Sequence, residues 1–337
     1  MRVLVLGGTR FIGVHAVRGL LSAGHELLLF HRGQNQNKLE GAAELLGDRE
    51  KIADFRGRFE EFAPEVILDM CCYTESAAAA TLKTLEEIAE RVVLISSCDV
   101  YRAFGKLIGT EQGETENTWI TEKSPLRENR YPYRDPANES EWRYWYDKIP
   151  IEQMFLESAM KVRILRLPMV YGELDYQRRM GSIIRRIIDG RSAMVISENL
   201  ANWRTTRSHV KDVAQAIRLA VETEFSASST YNVGEQEAVS VLDWYSEIAN
   251  ALDWGGTLVS LPDSELPEIV QSPGNYHQNL LLNSSAIRTE LGYEELTSRQ
   301  QSVAEAAQWE LRNPLPVPEN QQQQYDAEDA LLNRICN

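Results

Sequence analysis

At 337 residues, with 43% hydrophobic and 25% charged residues, the chain has the composition of a soluble globular protein. It is long enough to bury one α/β domain and a smaller cap. Lys+Arg 35 against Asp+Glu 50 leaves a net charge of −15, which argues against unspecific attraction to nucleic acid or anionic lipid. Four cysteines (Cys71, Cys72, Cys98 and Cys336) and five scattered histidines lack the spacing of a metal site. The adjacent Cys71 and Cys72 point to reduced thiols and a cytoplasmic setting. A first strand starting at residue 2 leaves no room for a signal peptide, and no apolar run has membrane-spanning length.

In chain order, Val3–Leu6 reads as a buried parallel strand, because its residues are continuously apolar rather than alternating. Phe11–Ser22 has helical spacing and ends at Gly24, a C-terminal cap. Glu26–Phe30 is a second strand, closing with His31-Arg32-Gly33; a weaker helix and a short third strand lead to Gly47-Asp48-Arg49. Glu65–Met70 is a fourth strand, Glu75–Arg91 an Ala-rich helix, Val92–Ser97 a fifth strand and Val162–Leu167 a sixth. Strands alternating with helices predict an α/β fold, a doubly wound parallel sheet (Rossmann) with right-handed crossovers. Between strands five and six, Arg102–Glu141 is polar and holds Pro125, Pro132 and Pro136; a stretch of that length inside a domain reads as a lid. Gln177–Gly190 is an Arg-rich helix of a C-terminal α/β cap, Val210–Glu222 a further helix, and Thr230–Val233 a further strand. The expected division is 1–172 and 206–250 for the nucleotide-binding domain, with the lid at 102–141, and 173–205 with 251–312 for the cap. The tail, 313–337, has three prolines at its start and a Gln321–Gln324 tract, and reads as an extended arm with little order.

The chemistry starts at the first turn. Gly7 permits a tight turn off the strand, and Gly13 lets the helix pack close to it, so that helix-start amides can hold a pyrophosphate. Arg10 stands where a middle glycine is usual. Gly7, Thr9, Arg10, Phe11, Ile12 and Gly13 are therefore candidate cofactor contacts. A second constellation is Ser97, closing the fifth strand, with Tyr144 and Lys148 at the i, i+4 spacing that brings two helical side chains together. A lysine ammonium would lower the phenol pKa so that it can exchange a proton with a hydroxyl while a hydride moves. Pro150 is tolerated only in a helix's first turn, so a helix beginning at Asp147 would leave Tyr144 outside it and make Tyr146 the fallback phenol.

These ordered motifs resemble the extended short-chain dehydrogenases/reductases, the NAD-dependent epimerase/dehydratase family. The Gly-Gly-Thr-Arg-Phe-Ile-Gly variant is similar to an atypical branch that includes chloroplast stem-loop RNA-binding proteins. The resemblance implies a Ser97, Tyr144 and Lys148 triad, and a dehydratase-like acid at Asp99, two residues past Ser97. It also implies an adenine contact near Asp48 and Arg49, cofactor contacts from Cys71 and Lys148, and Pro168 and Met169 near the nicotinamide. Tyr171 would line the substrate entrance, and Arg204 or Arg207 would bind a nucleotide-sugar phosphate. At the end of the second strand, where a carboxylate would select NAD, the chain has His31 and Arg32; this favours NADP, with NAD as the alternative. His209 and Asp212 read as structural. The expectation is an NAD(P)-dependent epimerase, dehydratase or reductase acting on a nucleotide sugar or related polyol, paired as a homodimer. The alternatives are a non-catalytic NADP-binding sensor or an RNA-binding protein.

Overall fold

The computed structural model describes residues 1–35, 37, 39–139 and 141–335; Cys336 lies outside them. Seven parallel strands form the central sheet: β1 (Arg2–Leu6), β2 (Glu26–His31), β3 (Ala43–Leu46), β4 (Val66–Asp69), β5 (Arg91–Ser97), β6 (Lys161–Leu167) and, after four short strands of the second half, β11 (Ser229–Asn232). Their order is β11-β6-β5-β4-β1-β2-β3, with Leu6 opposite Phe30 and Asp69. The chain winds outward from β1 in both directions, which leaves the carboxyl ends of β1, β4 and β5 open at one edge, where such sheets bind ligands.

Alternation within β1 explains the two-layer cover. Val3 and Val5 pack with Val14, Val17 and Leu20 of α1 (Ile12–Ser22) and with Val213 and Ile217 of the later helix over Val210–Glu222. Leu4 and Leu6 face the other way, onto α2 (Arg56–Phe62), α3 (Glu75–Leu85) and, past α4 (Arg102–Leu107), α5 (Lys148–Leu156), through Phe59, Ala78, Leu85, Ile151 and Phe155. Each face thus removes a continuous apolar surface from water.

The second half holds β7 (Met169–Tyr171), α6 (Gly181–Ile188), β8 (Ala193–Ser197), α7 (Glu198–Asn202), β9 (Arg204–Thr205), β10 (Arg207–His209), α8 (Val210–Glu222), β12 (Val239–Ser240), α9 (Val241–Ala251), β13 (Thr257–Leu261), α10 (Ser285–Leu291), α11 (Arg299–Arg312) and α12 (Gln321–Ile335). Parallel β8 and β13 and the helices α6, α7, α9 and α11 enclose a second core around Met180, Ile184, Ile196, Trp244 and Val303.

Two placements differ from expectation. Val241, Trp244 and Ile248 of α9 pack in the cap core, whereas Ile287 and Leu291 of α10 pack on the main sheet. The tail is not an extended arm. Its last part is the helix α12, whose Glu328 and Asp329 pair with Arg186 and Arg191 of the cap while Leu331 is buried. The stretch expected as a lid is rooted on the body: Tyr101 bridges Leu126, Ile120 bridges Leu282, and Arg127 is buried. Among the described residues, no helix is long and apolar enough to cross a membrane.

Candidate active site

The glycine turn is closed by backbone contact. Gly8 has φ 87°, open to glycine at little cost, and a Cβ on Gly13 would lie 2.6 Å from the Gly8 Cα. Phe11 precedes α1 with φ 43°, and no side chain caps the helix, so the positive end of its dipole is left for an anion. Thr9 is held from the β2–β3 loop: Asn35 donates to its hydroxyl at 3.1 Å and Asn37 to its carbonyl at 3.0 Å. The Arg10 guanidinium lies 3.8 Å from the centre of the Tyr176 ring, and Phe11 meets the same ring edge-on. Arg10 is therefore engaged with the segment leading into the cap.

At the end of β2, the His31 Nδ1 accepts from the Gly33 amide and its Nε2 lies 3.9 Å from Glu44, while Arg32 is exposed. Asp48 accepts from the Glu50 amide and caps a 3-10 turn over Arg49–Phe55. Arg49 corrects its expectation. Both terminal nitrogens bind the fully buried Asp69, and one also donates to Thr81 at 2.8 Å, so this guanidinium is a strut beneath the carboxyl ends of the strands. Cys71 lies against the glycine turn: a Cβ on Gly7 would sit 2.9 Å from its sulfur. Burial pushes the Cys71 thiol above its ordinary range, and that of Cys72 up to about 12. Pro168 is buried, and the half-buried Met169 has its sulfur 3.9 Å from the Thr205 hydroxyl.

The chemistry-bearing groups gather past β5. The Ser97 hydroxyl accepts from the Asp99 amide at 3.2 Å, which leaves its own proton free to donate. Asp99 is 3% exposed; its Oδ2 accepts from Tyr146 at 2.7 Å and Tyr133 at 3.3 Å, while its Oδ1 has no partner. Burial raises the Asp99 carboxyl above the usual carboxylate range, opposed by the Tyr146 hydroxyl and by Arg127 and Lys148. Burial, with Asp99 alongside, raises both phenols. Lys148 donates to the carbonyls of Cys72 (2.6 Å) and Ile95 (2.8 Å), and its ammonium lies 4.9 Å from the Tyr73 ring centre and 6.0 Å from that of Tyr146. Burial lowers its pKa.

Tyr144 is elsewhere, which corrects the expected helical pair. Asp147 is extended (φ −158°, ψ 119°) and caps α5 by accepting from the Ile149 amide. Lys148 is thus the first helical residue and Pro150 lies in the first turn, where proline costs no hydrogen bond. Tyr144 ends up in the preceding 3-10 turn, edge-on to Trp145 at 4.9 Å and with its ring centre 4.6 Å from the Arg134 guanidinium. Asp147 also takes Arg127, Arg130 and the Tyr131 amide, while Arg127 binds the Asp99 carbonyl, so one carboxylate pins the lid to the loop after β5. This clamp, with Tyr73, Tyr133 and Trp142, was missed from the sequence. The signal was the density of aromatic residues from Tyr131 to Tyr146 in an otherwise polar stretch.

The expected substrate contacts also change. Tyr171 is buried and donates to Glu235 at 2.9 Å, so it lines no entrance. Arg207 is buried, 4.3 Å from the Trp244 ring centre, and donates to the carbonyls of Thr205 and Val239; burial lowers it to about 10. Arg204 alone is exposed, and it donates to the Ala238 carbonyl. The structural readings of two neighbours agree with the geometry: burial lowers His209 to about 4, and Asp212 in the first turn of α8 accepts from the Leu296 amide.

A family model described as the NAD dependent epimerase/dehydratase family matches residues 3–234. The chain is 23% identical over 271 residues to a 2'-dehydrokanamycin reductase of Streptomyces kanamyceticus, covering 78% of this chain and 70% of the relative. It is 22% identical over 253 residues to a chloroplast stem-loop binding protein of 41 kDa from Arabidopsis thaliana, covering 71% of this chain and 60% of the relative. In fold it is similar to a UDP-glucose 4-epimerase of Stenotrophomonas maltophila, solved with bound NAD and formylated UDP-arabinopyranose. That likeness has a TM-score of 0.71 at 17% identity, covering 93% of this chain and 98% of the other.

Proposed function

The chain belongs to the NAD-dependent epimerase/dehydratase family, and on that premise we propose that it exchanges a hydride between NADP and a ring carbon of a nucleotide sugar or related polyol. The observation that carries this reading is the meeting of Ser97, Asp99, Tyr146 and Lys148 at the carboxyl end of β5. The uncapped α1 and the Gly8–Gly13 approach fit a dinucleotide pyrophosphate, with Gly7, Thr9, Arg10, Phe11, Ile12 and Gly13 around it. Arg32, exposed at the end of β2, and Arg10, which here lies over the Tyr176 ring, would supply guanidiniums for a 2′-phosphate. Cys71 lies against Gly7 of the cradle, and contacts to the cofactor from Cys71, Asp48 and Met169 belong to the same proposal. When bound, the nicotinamide gives or takes the hydride.

The chain's own groups handle the proton. Tyr146, rather than Tyr144, exchanges it with the substrate oxygen, Ser97 orients that oxygen, and Asp99 stores or returns the proton. Burial raises the Asp99 carboxyl, which makes it a stronger proton acceptor than an ordinary carboxylate. The lysine holds the loop ends of β4 and β5 together through Cys72 and Ile95 and presents its charge beneath Tyr146. Pairing of two copies through α3 and α5 belongs to the same proposal. The stem-loop binding relative raises an RNA-binding alternative, which the net charge of −15 opposes.

Calorimetry with NADP and NAD tests the cofactor, with NADP expected to bind at least tenfold tighter. Arg32→Glu should erase that margin; equal affinity in the native protein would refute the preference. Light scattering reads the dimer.

A further inference from the structure

Three large aromatic rings stand half-open around the catalytic carboxylate: Trp142 is 51% exposed, Tyr133 42% and Tyr73 36%, against 6% for Tyr146. They come from separate places, Tyr73 from the loop after β4, Tyr133 from the insertion and Trp142 from the 3-10 turn just past it, yet they form one box. Tyr73 and Trp142 are 4.8 Å apart and inclined by 31°; Tyr133 lies 5.3 Å and Trp142 5.8 Å from Tyr146, which is the floor. A cluster of exposed apolar surface is costly in water unless something covers it.

We propose that Tyr73, Tyr133 and Trp142 are the seat of the reacting sugar ring, so that the insertion selects the substrate by its ring rather than by its phosphates. The proposal rests on the reading of a hydride-transfer site given above, and it names which part of the ligand that site grips. The box is amphipathic in the way a pyranose is. Its walls are π faces, which take the C–H face of a sugar ring, and its inner end is polar, with the Ser97 hydroxyl and the two phenols on Asp99 to meet the ring hydroxyls.

The cations around this space give a phosphate little to bind. Lys148 is satisfied by two carbonyls, and Arg127 and Arg130 are both bound to Asp147. Arg134 is stacked on Tyr131 and Tyr144, away from the box. Arg207, the expected phosphate ligand, is buried against Trp244. The exposed Arg143 lies 5.7 Å from the Trp142 ring centre, and the other cations named here are committed to protein groups, so an anion would meet Arg143 alone.

The test separates ring from phosphate. Calorimetric titrations of the intact protein use UDP-glucose, UDP and methyl α-glucopyranoside, each with and without saturating NADP. Trp142→Ala should weaken UDP-glucose about tenfold and the methyl glucoside in proportion, while changing UDP by less than twofold. Trp142→Phe, which keeps a ring, should restore most of the loss, and far-ultraviolet dichroism checks that the variants are folded. In the native protein, UDP-glucose should also quench tryptophan fluorescence, with the quench reduced in Trp142→Phe. Equal losses for UDP and UDP-glucose, no change for either, or no saturable binding of either sugar would overturn the assignment. So would a loss confined to NADP, which would make the box a coenzyme surface. Absence of NADP binding to the native protein overturns the parent reading and is scored in the coenzyme titration alone, because the sugar arm is also run without it.

Discussion

Two carboxylates near the β5–β6 edge are treated in opposite ways. Glu152, on α5, is saturated: Arg166 binds it with two nitrogens (3.0 and 2.6 Å) and Ser96 donates at 2.5 Å. Arg166 continues to the Tyr101 hydroxyl, and Tyr101 to Asn232, so helix, three strands and the lid root are joined in one buried network. Asp99, equally buried, has only phenols, both on one oxygen, and leaves the other bare. A complete network fixes geometry, whereas an incomplete one keeps a proton-binding capacity that folding would not otherwise tolerate. The first holds α5, the strands and the lid root in place, and the second is the one the proposed function puts to work.

The contrast breaks most severely if the saturated pair is halved. Arg166→Ala leaves Glu152 as an unpaired buried charge and should cost about 3–5 kcal/mol, read as a loss of urea midpoint with folding barely retained. Asp99→Asn should do the reverse: turnover falls about 100-fold, on the order of an acid–base contribution, while the melting temperature holds or rises. The sign follows from its raised folded pKa. Protonated Asp99 favours the folded state at low pH, and that stability is lost as pH rises through the folded value, so the gain from asparagine should grow with pH.

A sharper form compares two phenols. Tyr146→Phe should lower turnover at least tenfold with coenzyme binding intact, whereas Tyr144→Phe should change it less than threefold. The opposite ranking in a coupled NADPH assay would return the role to Tyr144. The smallest effect extends the comparison to a third buried carboxylate, Glu310 of α11, raised by burial to about 7. Its stabilising contribution is present below the unfolded pKa near 4.5 and gone above the folded one. Glu310→Gln, which keeps the acceptor for the Met180 amide, should therefore raise the melting temperature by about 3 °C at pH 8 and by nothing near pH 4.5. A scanning-calorimetry series across that range checks the slope.

What was legible in the sequence was local. Continuous apolar runs and the Gly7–Gly13 turn specify strand, turn and helix within a few residues, and α8 matches its expected span Val210–Glu222. Misplacements came where a distant partner decides. Arg49 looks like a loop cation until Asp69 is folded beneath it. Arg207 looks like a phosphate ligand until Trp244 covers it. The Gln-rich tail has weak helical signals of its own, and α12 exists against Arg186 and Arg191, partners more than a hundred residues earlier. Tyr144 is different: the deciding signals, Asp147 as a cap and Pro150 in the first turn, were both local, and the spacing to Lys148 simply outweighed them.

The tail helix has a practical corollary. Residues 313–320 between α11 and α12 are exposed and carry Pro314, Pro316 and Pro318, so the connection invites a protease while both helices resist one. A single nick there would detach the carboxylates facing Arg186 and Arg191 without cutting any element of the main sheet. Ionic strength would then govern whether the severed helix stays on. A clean two-fragment digest would allow the cap to be compared with and without α12 on it.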